Sequence, residues 1–471
     1  MDTQHHVDWR ALFGRSGFRY VFAAMFISLF GSGLNYAGVT WYILEQTQST
    51  IKVSLMIVLV TLPGLIVPPF GGVLIDRMDR RRLAVILDLC RGLVVLVTAA
   101  LLHWGVGELW HVYVMMVLLG VGFAIYWSTM NALVQEIVLH EELPGHPPPA
   151  PGEAPPKSRL ATANTGVLIA VQGGMMSAGA VVGWLYERFH LSGILAMDGA
   201  TYLASALCLI LLMRHGHAAH AARPKHKAAP PREAAPAARA ANGNGSNGDV
   251  DDDILPDIVE PGLVARFTAD LREGLRYLAT QPRVLALGFT YACMMAGVIS
   301  GHVVLVVLAQ DVLRAGAVGY GYLEFGWAVG AIFGGFTTAW VTKKFHGAVV
   351  LISALVALAA GHAAFPYVRW LWLAVVMNAV FGACRAYGGV LTQTGIMTVV
   401  PHRLMGRTQS AFAVLSTLMQ IVMSLSLGWV AQHVSVRAGF ALLGAMYAAA
   451  ALAAFRARHI SAAAAAAGTG T

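Results

Sequence analysis

Apolar residues run along this chain in long stretches separated by brief polar breaks, not at the alternating spacing of half-buried strands. A helix needs about 20 apolar residues to cross the hydrocarbon core of a bilayer. Twelve stretches are predicted to do so. They are Tyr20–Leu44, Lys52–Ile75, Leu83–His103, Leu109–Val134, Leu160–Tyr186, Gly193–Met213, Val284–Leu308, Gly319–Val341, Ala348–Phe365, Trp370–Val399, Met405–Ala431 and Arg437–Phe455. Short connectors such as Glu45–Ile51 make consecutive spans antiparallel neighbours.

Two polar stretches break the series. Glu141–Lys157 holds Pro147-Pro148-Pro149 and cannot sustain a helix. Arg214–Pro261 is rich in Ala, Pro, His, Asn and Gly, then acidic at Asp249–Asp253, a composition that cannot bury a core. The expected division is therefore a six-helix half over 1–213, a disordered cytoplasmic linker over 214–262, a second six-helix half over 263–457 and a disordered tail over 458–471. His215, His217, His220 and His226 belong to the solvated linker, and no metal site is expected there. Arg266–Pro282 reads as an amphipathic helix at the cytoplasmic interface, with Phe267, Leu271, Leu275 and Leu278 on one stripe.

Composition narrows the class. Of 471 residues, 57% are hydrophobic and 12% charged, where soluble domains carry about 25% charged residues. This is the profile of an all-α, multi-pass membrane protein. Met1–Arg19 is polar without a cleavable signal pattern, so the first apolar run is expected to direct insertion. With the N-terminus in the cytoplasm, about 25 of the 32 Lys and Arg fall inside, as the positive-inside rule demands. Both termini are then cytoplasmic and the cell membrane is the expected location. The net charge of +8 is explained by this orientation, and no nucleic-acid partner is expected. Cys90, Cys208, Cys293 and Cys384 lie in or beside apolar runs and read as packing residues. No phosphate loop, nucleophile elbow or metal-ligand cluster is present, so neither enzyme activity nor a cofactor is expected.

The stretch Gly71-Gly72-Val73-Leu74-Ile75-Asp76-Arg77-Met78-Asp79-Arg80-Arg81-Arg82 packs six charges between the second and third spans. It resembles the loop signature of the major facilitator superfamily, G-x-x-x-D-R-x-G-R-R, with Gly72, Asp76, Arg77, Arg80 and Arg81 in matching places and Asp79 where the pattern has Gly. Further stretches are similar to the drug:proton antiporter branch that contains macrolide and siderophore (enterobactin-type) exporters. They are Asp88-Leu89-Cys90-Arg91, Asp198 with Tyr202-Leu203-Ala204-Ser205-Ala206, Asp270–Leu278, and Pro401 with Gly406-Arg407. The resemblance implies the major facilitator fold and a conformational latch formed by Gly72, Asp76, Arg77, Arg80 and Arg81 and supported by Asp88 and Arg91. A worn second copy, Gly334-Gly335 before Lys343-Lys344, lacks the acid. Gly174–Gly183 resembles the antiporter motif, with Ala180 where that motif has Pro.

Polar residues inside spans are costly and mark function or pairing. Arg385 lies near mid-depth of the tenth span and either serves helix packing, through an ion pair or a clamp of carbonyls, or faces a central cavity. Glu324 either exchanges protons or is a solvated charge at the cavity mouth; Asn35, Asn131, Gln135, Gln172, His302 and Gln393 are further candidates that interhelical hydrogen bonds would equally explain. Trp41, Tyr42, Tyr126, Trp127, Tyr291 and Phe325 are candidates for an apolar pocket or for interface anchoring. Gly326, Gly330 and Gly334, and likewise Gly179 and Gly183, form small-xxx-small ridges for close helix packing. The expectation is a monomeric secondary transporter that exports a small amphipathic molecule by alternating access, with protons as the coupled ion. The rival expectations are a lysophospholipid or lipid flippase and a non-transporting receptor or scaffold.

Overall fold

The computed structural model describes residues 13, 17–67, 78–140, 157–221 and 263–468, and every regular element among them is helical. The first group comprises α1 (Phe18–Thr47), α2 (Thr50–Thr61), its short continuation α3 (Pro63–Ile66), α4 (Arg80–His103) and α5 (Leu109–His140). Lys157–Ala221 follows as one hydrogen-bonded run, but His190 sits at φ 54 and ψ −173. That left-handed residue divides it into α6 (157–189) and α7 (191–221). The second group begins with α8 (Leu263–Thr280) and continues with α9 (Pro282–Val307), which ends in a π turn. Then come α10 (Gly316–Lys344), α11 (Gly347–Ala364), α12 (Leu371–Val399), α13 (His402–His433) and α14 (Val436–Gly468).

Nine helical stretches among the described residues are long and apolar enough to cross a membrane. Twelve spans were expected, and the difference lies in three places. Ala163–Arg214 counts once although His190 divides it. Thr50–Ile66 is short, and the expected extension to Ile75 lies outside the described residues. The glycine-rich α10 is not among the nine.

Local chemistry sets the helix ends. Ser49 caps α2 by accepting from the Lys52 amide at 3.4 Å, and Pro282 opens α9. Asp79 accepts from the Arg82 amide at 2.9 Å. The residue that departs from the G-x-x-x-D-R-x-G-R-R pattern is thus the N-cap of α4.

α10 is held by direct backbone contact. A Cβ at Gly330 would lie 1.7 Å from the Ala379 carbonyl oxygen, and one at Gly334 would lie 2.6 Å from that of Ala383. The contact register advances in the same sense on both helices, so α10 and α12 run parallel. On another face α10 meets α6: a Cβ at Gly183 would lie 2.3 Å from the Ala317 oxygen. Both small-residue ridges expected from the sequence are therefore helix contacts, the second of them joining the two groups of helices.

One end of the bundle is knit across the two groups. Gln310 Nε2 donates to Gln48 Oε1 at 3.1 Å, the Thr50 amide donates to Gln432 Oε1 at 2.8 Å, and the Thr50 hydroxyl donates to the Gly428 carbonyl at 2.6 Å. At the other end, α8 lies against the start of α13. Leu278 is buried with Val284, Ala411 and Phe412, and Arg407 Nη1 donates to Glu273 Oε1 at 2.5 Å. The docked stripe is Leu271, Gly274 and Leu278; Leu275, expected on it, points outward and is exposed. Its place on the helix wheel is taken over by Gly274, whose missing Cβ lets the Arg407 backbone approach. Cys90 is likewise exposed rather than packed, whereas Cys293 is buried.

Gly330→Val is expected to force α10 from α12 and cost at least about 1–3 kcal/mol by overpacking. Gly335→Ala, with nothing within 4 Å of the added carbon, should be silent. Melting curves of the two purified variants test this. Equal melting temperatures would show that the helices are not held at backbone contact.

Candidate functional site

In the second group, α9, α10, α11, α12 and α14 enclose a cavity of about 50 Å³. Three of the sequence candidates line it: His302, Glu324 and Arg385. His302 Nδ1 and Glu324 Oε1 share a hydrogen bond at 2.8 Å, and both side chains are mostly buried. Tyr36 from α1 sets its ring edge-on to His302, with centroids 5.1 Å apart. Arg385 is half-buried; its Nη2 donates to the Met295 sulfur at 3.5 Å and its Nε has no hydrogen-bond acceptor. Among the described residues no carboxylate pairs with it. Of the two sequence alternatives for Arg385, the geometry therefore places it on the cavity. Asn378 and His362 also line it, but both are engaged: Asn378 Nδ2 donates to the Leu323 carbonyl at 2.7 Å, and His362 Nδ1 lies 2.8 Å from the Leu358 oxygen.

A second polar cluster is sealed in the first group. Asp88 and Arg91, three residues apart on α4, form an ion pair with side chains 0% and 3% exposed. Ser205 Oγ donates to the other Asp88 oxygen at 2.6 Å. The Arg91 guanidinium lies over the rings of Tyr126 and Tyr202, at 3.9 and 4.5 Å from their centroids. Beside it, Asn35 Nδ2 donates to Asp198 Oδ2 at 2.7 Å, and Asp198 is also fully buried. Asn35 is thus committed to this cluster and stands apart from the cavity.

At the charged turn, Arg80 Nη1 lies 3.3 Å and Arg81 Nη2 3.8 Å from the two carboxylate oxygens of Glu136 on α5. Gly72, Asp76 and Arg77 lie outside the described residues. The side chains of His215, His217, His220 and His226 do as well, and no metal-ligand cluster occurs among the described residues. Asn131 donates to the Trp127 carbonyl of its own helix at 2.9 Å. Gln135 is exposed, and Gln172 and Gln393 are half-buried away from the cavity lining. None of the six aromatic candidates lines the cavity: Trp41 stacks on Tyr320, Tyr126 carries Arg91, Tyr291 packs near Phe412, Trp127 is partly exposed, and Tyr42 and Phe325 are half-buried elsewhere.

Residues 21–426 of this chain match the family model of the Major Facilitator Superfamily. The chain belongs to the major facilitator superfamily. Over 129 residues, 27% of this chain, it is 28% identical to macrolide efflux protein A of Streptococcus pyogenes, in two strains. That match spans 31% of the relative's length. Two crystal structures of the nucleoside transporter NupG, one a point mutant, align with TM-scores of 0.65 and 0.64 at 11% and 12% identity. They cover 94% of this chain and 98% and 99% of theirs, a likeness of fold alone. As a member of the superfamily the chain is a multi-pass membrane protein.

Several residues at these sites escape sequence reading. Glu136 lies in a long apolar helix far from the turn it pairs with, and Asn378, Tyr36 and Tyr447 meet the others only through packing. Asp198 did carry a signal, because an acid inside an apolar run demands a buried partner.

Arg91→Ala is expected to lower stability by about 3–5 kcal/mol, since it leaves Asp88 buried without its cation. Arg80→Ala, at a half-exposed pair, should cost no more than about 1 kcal/mol. Thermal unfolding of both variants in one detergent checks the contrast, and a milder effect for Arg91→Ala would contradict it.

Proposed function

We propose that this transporter exports a small amphipathic molecule by alternating access, driven by proton antiport. The observation that carries the reading is the His302–Glu324 pair, a titratable hydrogen-bonded couple opening on the cavity. Such a pair holds or releases one proton without a metal or cofactor. It is faced by Tyr36 from α1, Tyr320 on its own α10, His362 from α11, Arg385 from α12 and Tyr447 from α14. A proton that binds one conformation better than the other shifts the balance between them, which is the requirement for coupling. The efflux function of the macrolide relative supports the outward direction.

The transporter is proposed to reside in the cell membrane with both termini cytoplasmic. In that orientation the knit end at Gln48, Gln310 and Gln432 faces outward, so the conformation described is closed to the outside. Arg80, Arg81 and Glu136 then lie on the cytoplasmic side, with the Asp88–Arg91 pair further along α4; Gly72, Asp76 and Arg77 are proposed to complete the latch. The cavity between the helices serves as the substrate site near mid-membrane.

In sealed proteoliposomes, wild-type protein should move substrate faster under a proton gradient than without one. Glu324→Gln should run at the same rate in both conditions. Persistence of the gradient effect in that variant would refute the assignment of the proton to this pair. Separately, Asp76→Asn should insert and melt like wild type yet transport more slowly, because it alters a contact made in only one conformation. Equal transport at matched protein levels would remove the latch role.

A further inference from the structure

We propose that the cavity takes an amphoteric molecule, with a carboxylate on Arg385, an ammonium at Glu324 and an apolar body between them. This deepens the reading of Glu324 as the proton site and rests on it for the ammonium half. Arg385 stays cationic in a protein and its planar fork suits a carboxylate. Here that fork meets only a thioether, with Nε left without an acceptor. The Arg91 Nε also lacks an acceptor, but its guanidinium is paired with Asp88 and covered by two tyrosine rings, whereas Arg385 has no such anion among the described residues.

The two charges are held too far apart to cancel each other. Arg385 meets α9 at Met295, and Glu324 meets the same helix at His302. Seven residues of helix separate those contacts, about 10 Å at ~1.5 Å of rise per residue. Both side chains therefore line one wall, Arg385 without an anion and Glu324 with its carboxylate hydrogen-bonded to His302. A purely cationic ligand would answer Glu324 and leave Arg385 without an anion, and a purely anionic one would answer Arg385 and bring no cation to Glu324. A molecule with both charges, spaced on the order of 10 Å along the helix rise, answers each of them. An α-amino acid, with its charges on adjacent groups, is too short. Trp327, Phe381, Phe440 and Leu443 supply the apolar surface for the body between. In this conformation the space is about 50 Å³, and the ligand enters as the bundle opens. An incoming ammonium takes the place of the proton at Glu324, so loading substrate releases a proton, which is the exchange an antiporter requires.

The test uses purified full-length protein in detergent and three probes. The first is para-aminomethylcinnamic acid, whose amine and carboxylate stand at opposite ends of a rigid aromatic spacer. The second is its primary amide, which lacks the acid, and the third its N-acetyl derivative, which lacks the amine. Calorimetry should find the parent binding roughly tenfold tighter than either derivative, a difference of about 1.4 kcal/mol. Arg385→Gln should bring the parent down to the level of the amide and leave the amide unchanged, while Arg385→Lys falls between. Glu324→Gln should bring the parent to the level of the N-acetyl compound. Equal affinity for the three probes in wild type would overturn the proposal, as would an Arg385→Gln variant that weakens parent and amide alike. The wild-type series decides by itself if a variant fails to fold. No gradient enters this measurement. A preserved probe ranking with gradient-independent transport would overturn proton coupling alone, and the reverse pattern would overturn the amphoteric site alone.

Discussion

Direct contact between helix backbones is the constraint on which this bundle depends. Lipid tails are as apolar as leucine, so helices in a membrane gain little from burying apolar side chains against one another. What holds them is close fit, and closest fit needs residues without a Cβ. α10 uses that device on two faces, against α12 at Gly330 and Gly334 and against α6 near Gly179 and Gly183. Glu324 is itself part of the α6 contact, its Cβ 3.2 Å from where a Cβ at Gly179 would lie, so its place relative to His302 and Arg385 follows from where α10 is pinned. The worn second copy of the loop signature gains a meaning from the same geometry. Gly334 serves the contact with α12, while Gly335 faces open space.

The two arginines inside the bundle show opposite solutions to one electrostatic problem. A guanidinium in a low-dielectric interior must find acceptors. Arg91 finds Asp88, reinforced by Ser205 and bracketed by Tyr126 and Tyr202. That cluster is buried, with the Asp88 and Arg91 side chains 0% and 3% exposed. Arg385 finds a sulfur and a cavity. The contrast separates a charge that fastens helices from a charge held ready for something else, and it does so within one protein under one set of conditions.

The charged turn combines both themes at the membrane surface. Asp79 ends its role at the first turn of α4, satisfying an amide that the helix itself cannot. Arg80 and Arg81 reach across to Glu136 on α5. The turn therefore ties two helices of the first group together, and the second group is fastened at its own start by Glu273 and Arg407 between α8 and α13.

The sequence by itself determined the class, the succession of apolar helices and the family. Each of these rests on the length and order of local stretches, which a bilayer reads residue by residue. It also determined that Asp88 would meet Arg91, since three residues on one helix fix that distance. It marked Arg385, Glu324 and His302 as costly residues in apolar surroundings, and it located the glycine ridges. Only the tertiary structure decided what those residues face. Asn35 and His302 look alike in the chain, yet one is bound to Asp198 in a sealed cluster and the other shares a cavity with Glu324 and Arg385. Glu136 became the partner of a turn more than fifty residues away. Leu275 faced outward because Gly274 let a neighbouring backbone come closer than any side chain could. Such outcomes depend on how each helix is rotated about its axis, and that rotation is set by packing against neighbours that no local pattern contains.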